Sequence, residues 1–196
     1  MNVSSADNTA YTASSNLLYQ HKFARKGRTF SINMNTDIND KTGQGHLDYT
    51  SQYFNPFDFS FARQQSGQST KGYTLSSALT YTEPVDSNSQ LQFTYSPSLT
   101  NNKTDKQVSN FNPISGDYSL LDSSLSNEYE NSYFASKTGI NYLLNGKQYI
   151  LTTGVEFQYA NLSGKQDFPF AGKTAKIFSS LLPQIMFNYK LSKGKN

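Results

Sequence analysis

The sequence predicts an all-β chain, an antiparallel meander of about seven long strands forming a partial wall of a transmembrane β-barrel. Three observations point there. Apolar and polar residues alternate in one stretch after another, and the connections between those stretches alternate between short and long. The composition is also unusual: 35% hydrophobic, with a 14% aromatic share that is all Tyr and Phe. A globular core commonly draws on about 45–50% apolar residues, counted over a slightly different set. A strand with lipid on one side and water on the other spends only half its residues on the apolar side.

Residues 28–39 show the pattern most clearly. Phe30, Ile32, Met34 and Ile38 fall on even positions, while Thr29, Ser31, Asn33, Asn35, Asp37 and Asn39 fall on odd ones. Side chains alternate across a strand, so one face is apolar and the other polar. The stretch has about the 9–11 residues a tilted strand needs to cross a bilayer. Leu17, Tyr19 and Phe23 alternate in the same way with Asn16, Gln20 and Lys22. Further strands are expected around Tyr73–Tyr81, Leu91–Leu99, Phe134–Leu144, Leu151–Tyr159 and Ile185–Leu191. No window has a comparable helical period, and none holds the 18 or so apolar residues of a spanning helix.

The connections sort by length. Arg25-Lys26-Gly27 and residues 83–88 are short, and 192–196 resembles the start of another short turn. Asn145-Gly146 predicts a two-residue type I′ hairpin, whose central positions need positive φ. Polar connections are expected at 40–71, 101–131 and 163–175. In a meander, alternate turns share an end, so the long connections gather at one end and the short turns at the other. Outer-membrane barrels have this asymmetry, with short periplasmic turns and longer extracellular loops. The short turns are flanked by Phe23, Phe30, Tyr81, Phe93, Tyr142, Tyr149 and Tyr189, a candidate periplasmic-side aromatic girdle. A soluble antiparallel sandwich with one wet face per sheet also fits alternation alone.

Four segments carry a family resemblance: 16–31 (NLLYQHKFARKGRTFS), 72–84 (GYTLSSALTYTEP), 120–131 (LLDSSLSNEYEN) and 180–195 (SLLPQIMFNYKLSKGK). In this order they resemble the barrel region of TonB-dependent-receptor-like outer-membrane proteins. The resemblance implies a barrel of about 22 strands with a plugged lumen, nutrient uptake, a TonB-type energising partner and a place in the bacterial outer membrane. Plug, TonB-contacting segment and the remaining strands have no counterpart here. Residues 1–196 are therefore expected to form one internal segment of such a barrel, with lipid, the remaining strands and a plug as partners. A structural or adhesive barrel without transport is the alternative use of the same wall.

Catalytic chemistry has no support. Cys is absent, which removes thiol nucleophiles and Cys-based zinc sites. His21 sits among the apolar positions beside Tyr19 and Phe23, and His46 lies in a long connection without a partner at metal spacing. Gly43-Gln44-Gly45 lacks the third glycine of a dinucleotide fingerprint, and no G-x-S-x-G elbow occurs. No catalytic, metal or cofactor residue is expected, and the dispersed net charge of +3 gives no nucleic-acid footprint. Asp117, Asp122, Glu128 and Glu130 lack calcium-loop spacing and read as solvated charge. Tyr49, Tyr53, Phe54, Phe57, Phe59 and Phe61 form the candidate ligand-contact loop, with packing of that loop as the competing role. Asn33, Asn35, Gln92, Thr94, Glu156, Gln158, Gln184 and Lys190 are expected on the lumen side.

Overall fold

A computed structural model describes residues 2–54 and 57–190, with side chains for 3–51 and 61–190. Eight strands form a single sheet: β1 Asn2–Lys22, β2 Thr29–Phe54, β3 Phe57–Pro84, β4 Ser89–Asn112, β5 Asp117–Leu121, β6 Asn127–Asn145, β7 Tyr149–Phe168 and β8 Gly172–Tyr189. The order is β1-β2-β3-β4-β6-β7-β8, and β5 pairs only with β4. All pairings are antiparallel, and no helix occurs among the described residues. The seven expected strands are β1 to β4 and β6 to β8. The sheet is open, with β1 and β8 at its edges.

The registers give all seven long strands a shared apolar face. Tyr19 pairs with Ile32, Ile32 with Leu79, and Leu79 with Tyr95. Phe93 pairs with Ile140, Ile140 with Val155, and Val155 with Pro183. A one-residue slip at any step would turn every later strand over, because the side-chain period is two. The opposite face carries Asn16, Asn33, Asn35, Ser76, Gln92, Thr94, Glu156, Gln158 and Gln184. These are the apolar and polar faces below. Leu17, Ile38, Ile185 and Phe187 are all exposed on the apolar face. Val108 and Ala160 are the buried apolar residues among those described. The sheet has one layer and no packed interior.

The strands run much further than alternation predicts. Residues 40–71 are not a loop: β2 and β3 stay paired from Thr29↔Thr82 out to Phe54↔Phe57. From residue 39 to 46 and from 64 to 72 both faces are polar, so the pattern that reveals a strand disappears while the backbone ladder continues. The same correction applies at 101–131, where β4 reaches Asn112 and β5 pairs with its far end through Ser109↔Leu121 and Asn112↔Asp117. At 163–175 only a short turn remains, containing a cis Phe168–Pro169 bond. β1 likewise extends back to Asn2. All these extensions lie at one end of the sheet.

The opposite end holds the short turns. The Arg25–Gly27 turn closes with Arg28 N donating to Arg25 O at 3.1 Å, and Gly27 takes a φ of 87° that glycine adopts without steric cost. Asp86 organises the next turn: its Oδ1 accepts from Asn88 N at 2.7 Å and Ser89 N at 2.9 Å. The third turn corrects the Asn145-Gly146 expectation. Gly146 N donates to Tyr149 O at 2.8 Å, which places Lys147 and Gln148 at the centre of the hairpin. Neither Asn145 nor Gly146 has positive φ. Gly146 instead leaves room for the Tyr149 ring, whose Cζ would lie 2.6 Å from an added Cβ. Residues 192–196 lie outside the described residues.

Two glycines give a test of this packing. An alanine Cβ at Gly154 would lie 2.5 Å from the Ile140 carbonyl oxygen, an atom fixed by the ladder, whereas one at Gly67 meets nothing within 4 Å. Gly154→Ala should cost about 1–3 kcal/mol. Gly67→Ala should be neutral or stabilise by up to about 1 kcal/mol. Urea unfolding followed by circular dichroism measures both, and equal effects would contradict this register.

Candidate functional site: two faces and two ends of one sheet

The apolar face is bordered by aromatic rings on the short-turn side. Phe23 meets Tyr81 edge-on at 6.3 Å between centroids, and Tyr81 lies 6.3 Å from Phe93. His21 packs edge-on against Phe23 at 4.6 Å. On the far strands Tyr149 pairs with Tyr189 and stacks on Phe187 at 6.1 Å. Phe30 pairs with both His21 and Tyr81. Tyr142 shares the face but pairs with Leu91 and Thr153, so it stands apart from Tyr149. The aromatic border follows the turns: it passes through Val155's row on the central strands and reaches Tyr149 and Tyr189 nearer the turn end.

Beyond these rings lies a charged cluster that alternation does not reveal. Glu83 accepts from Arg28 Nε at 2.7 Å and Nη2 at 2.7 Å, a bidentate fork, and from Arg25 Nη1 at 2.6 Å. Tyr81 Oη also donates to it at 2.6 Å. Arg28 and Tyr81 together hold the Glu83 carboxyl well below the usual carboxylate range, at about 2. The cluster joins the first short turn to the end of β3. Asn145 N then donates to Asn88 O at 2.7 Å, and Lys190 N to Gln148 O at 2.7 Å. Each short turn is therefore tied to its neighbour. The sequence signal was limited to a lone Glu83 and two arginines, 55 and 58 residues apart from it.

The polar face is knitted by amides and hydroxyls. Asn16 Nδ2 donates to Asn33 Oδ1 at 2.7 Å and also to Asn35 Oδ1. Thr74 and Thr100 hydroxyls are 3.1 Å apart, and Gln184 Nε2 donates to Asn141 Oδ1. No buried side-chain polar atom lacks a partner among the described residues. This surface offers neutral hydrogen-bonding groups with few charges.

At the extended end the register puts Tyr49 on one face of the hairpin and Phe61 on the other. The six candidate aromatics lie on the terminal pairs of the β2–β3 hairpin rather than in a loop. Tyr49 pairs with Ala62 and Phe61 with Thr50. Tyr53 pairs with Asp58, Phe54 with Phe57 and Phe59 with Gln52; their side chains lie outside the described residues. A different group assembles nearby. The Arg63 guanidinium lies 5.5 Å over the Phe111 ring and 3.4 Å from Asp48. Tyr118 meets Phe111 at 5.5 Å and His46 at 5.9 Å. His46 is thus a strand residue in an aromatic contact. Only the pairing of β2, β3, β4 and β5 brings these residues together, so sequence spacing gave no warning.

The acidic residues of 101–131 are dispersed. Asp117 accepts from Ser115 Oγ at 2.6 Å, and Asp122 caps its own turn through Ser124 N and Leu125 N. Glu128 pairs with Lys103 at 2.8 Å, and Glu130 accepts from Asn101 at 2.9 Å. No group of three metal-ligating side chains occurs among the described residues. No family model matches this chain, and no curated protein matches it.

The Glu83 cluster makes a pH prediction. Its carboxyl is depressed in the fold, so its contribution is complete above about 4.5 and fades as pH falls toward about 2. In urea titrations, wild type should exceed Glu83→Gln in stability near neutral pH. The gap should close across that acid window. A gap that persists unchanged below pH 2 would remove the ion cluster as its cause.

Proposed function

We propose that the chain is a lipid-facing wall of an outer-membrane barrel that serves as a TonB-dependent-type transporter. The observation that carries the membrane part is the apolar face. It is continuous over seven strands, exposed, bordered by aromatics on the turn side and by charge at Asp40, Lys71 and Lys103 on the other. The interval from Phe30 to Asp40 matches the roughly 9–11 residues of a tilted spanning strand. A soluble sandwich would need a second layer over this face. All eight described strands belong to one sheet, and none of the described residues covers this face.

Transport rests on the polar face and on the four-segment resemblance. Amides and hydroxyls turned toward the inside of a barrel favour a hydrated path. The extended end would face outside the cell and the short turns the periplasm, with ligand capture outside and a TonB-type partner supplying energy. β1 and β8 both run from the extended end to the short-turn end. Antiparallel closure between them therefore requires an odd number of further strands.

Two adjacent residues on β3 test the wall. Leu75 is on the apolar face between Thr36 and Leu99, and Ser76 is on the polar face between Asn35 and Ser98. Leu75→Arg should cost about 2–4 kcal/mol in folding titrations in lipid vesicles. Ser76→Arg should cost much less, because it points to water. Equal penalties would defeat the assignment of faces.

Orientation has its own test. Proteinase K added to intact cells should cut within residues 113–126 and spare Arg25–Gly27. The reverse pattern would invert the topology. Growth on substrates whose uptake depends on the full-length protein separates a transporter from an adhesive barrel: unchanged uptake after deletion would favour adhesion.

A further inference from the structure

Where the apolar face ends, one register row is almost wholly charged. It runs from Asp40 through Lys71, Lys103, Glu130 and Lys165 to Lys173. Within it lysine faces lysine twice: Lys71 opposite Lys103, and Lys165 opposite Lys173. Like charges directly opposed across an antiparallel pair are destabilising. Carboxylates offset part of this. Asp40 is 3.6 Å from Lys71, Glu128 is 2.8 Å from Lys103, and Asp167 is 2.8 Å from Lys165. Glu128 lies on the side of Lys103 away from the apolar face, and an ammonium has three donors. Both Lys71 and Lys103 are more than half exposed, so their remaining donors are open to a ligand.

A groove of about 500 Å³ lies at the first of these pairs. Ile38, Tyr73 and Leu75 give it an apolar floor, and Lys71, Lys103 and the Asp40 carboxylate form its charged rim. Apolar residues on one side and paired cations on the other match an acylated molecule with an anionic head. We propose that Lys71 and Lys103 hold the phosphate of a membrane lipid headgroup in the leaflet at the extended end, with its acyl chains along Ile38, Tyr73 and Leu75. A phosphate between the two ammonium groups would add two attractions to those that Asp40 and Glu128 already supply. The site rests on the lipid-facing reading of the wall.

The test uses the full-length protein in phosphatidylcholine vesicles with trace spin-labelled lipids. Electron paramagnetic resonance reports which labelled lipid is motionally restricted at the protein. Wild type should favour phosphatidic acid over phosphatidylcholine by roughly fivefold, as expected for one surface lysine's worth of attraction. The preference should vanish in Lys71→Gln/Lys103→Gln, persist in Lys147→Gln at the short-turn end, and persist in Lys71→Arg/Lys103→Arg. Excess inorganic phosphate in the buffer should leave it unchanged. Displacement by inorganic phosphate would make the ligand a soluble anion and overturn the lipid assignment. An undiminished preference in the double Gln variant would also overturn it. If no labelled lipid is restricted at all, the wall reading itself fails. Restricted lipid without headgroup preference defeats only the phosphate site.

Discussion

Backbone pairing fixes side-chain parity, and the rest of the molecule depends on that. Each antiparallel register decides which residues of the next strand share a face. Tyr19 to Ile32 to Leu79 to Tyr95 is one such relay, and Phe93 to Ile140 to Val155 is its continuation. A sheet without a second layer has no core to correct an error in this relay. Register must therefore come from the turns and from the contacts between them. The Glu83 fork to Arg28, the Asn88–Asn145 bond and the Gln148–Lys190 bond hold the short turns in a fixed relation. They lie where they can set the register of everything beyond.

This division explains what alternation could reveal. Phe30, Ile32, Met34 and Ile38 alternate with polar residues, and the registers gather the two sets on opposite faces. The seven strands were readable to the extent of that contrast. At Lys41-Thr42-Gly43-Gln44 both sides are polar, the contrast ends, and a paired strand looks like a loop. The Asn145-Gly146 signal failed for another reason. Glycine there serves the space of the Tyr149 ring, so the turn centre moves to Lys147-Gln148. Neither the Arg63–Phe111–Tyr118 group nor the Lys71–Lys103 pair was legible. Both depend on which residues of distant strands stand opposite each other, and that is set by register.

β8 departs from the rule the other strands obey. Its apolar-face residues Leu181, Ile185 and Phe187 alternate with Phe178, Leu182 and Met186 on the polar face, so it is apolar on both sides. Lateral pairing leaves its second edge open, and an exposed apolar edge is a template for another strand. Ser180 and Gln184 are the polar residues on that face of this stretch, and Gln184 reaches Asn141 across β7. The sheet's hydrophilic lining is therefore concentrated on β1 to β4 and thins toward β8.

The β2–β3 hairpin continues past the charged row to Phe54 and Phe57 without losing its ladder. A flexible loop of that length would absorb a force applied at its tip by rearranging. A continuous two-stranded ribbon, braced on either side by β1 and β4, behaves as a cantilever instead. Its stiffness carries a load from the tip to the wider part of the sheet near Asp40 and Lys71. A molecule pressing on the far end would thus be felt as a bending moment in the sheet, with a continuous ladder between.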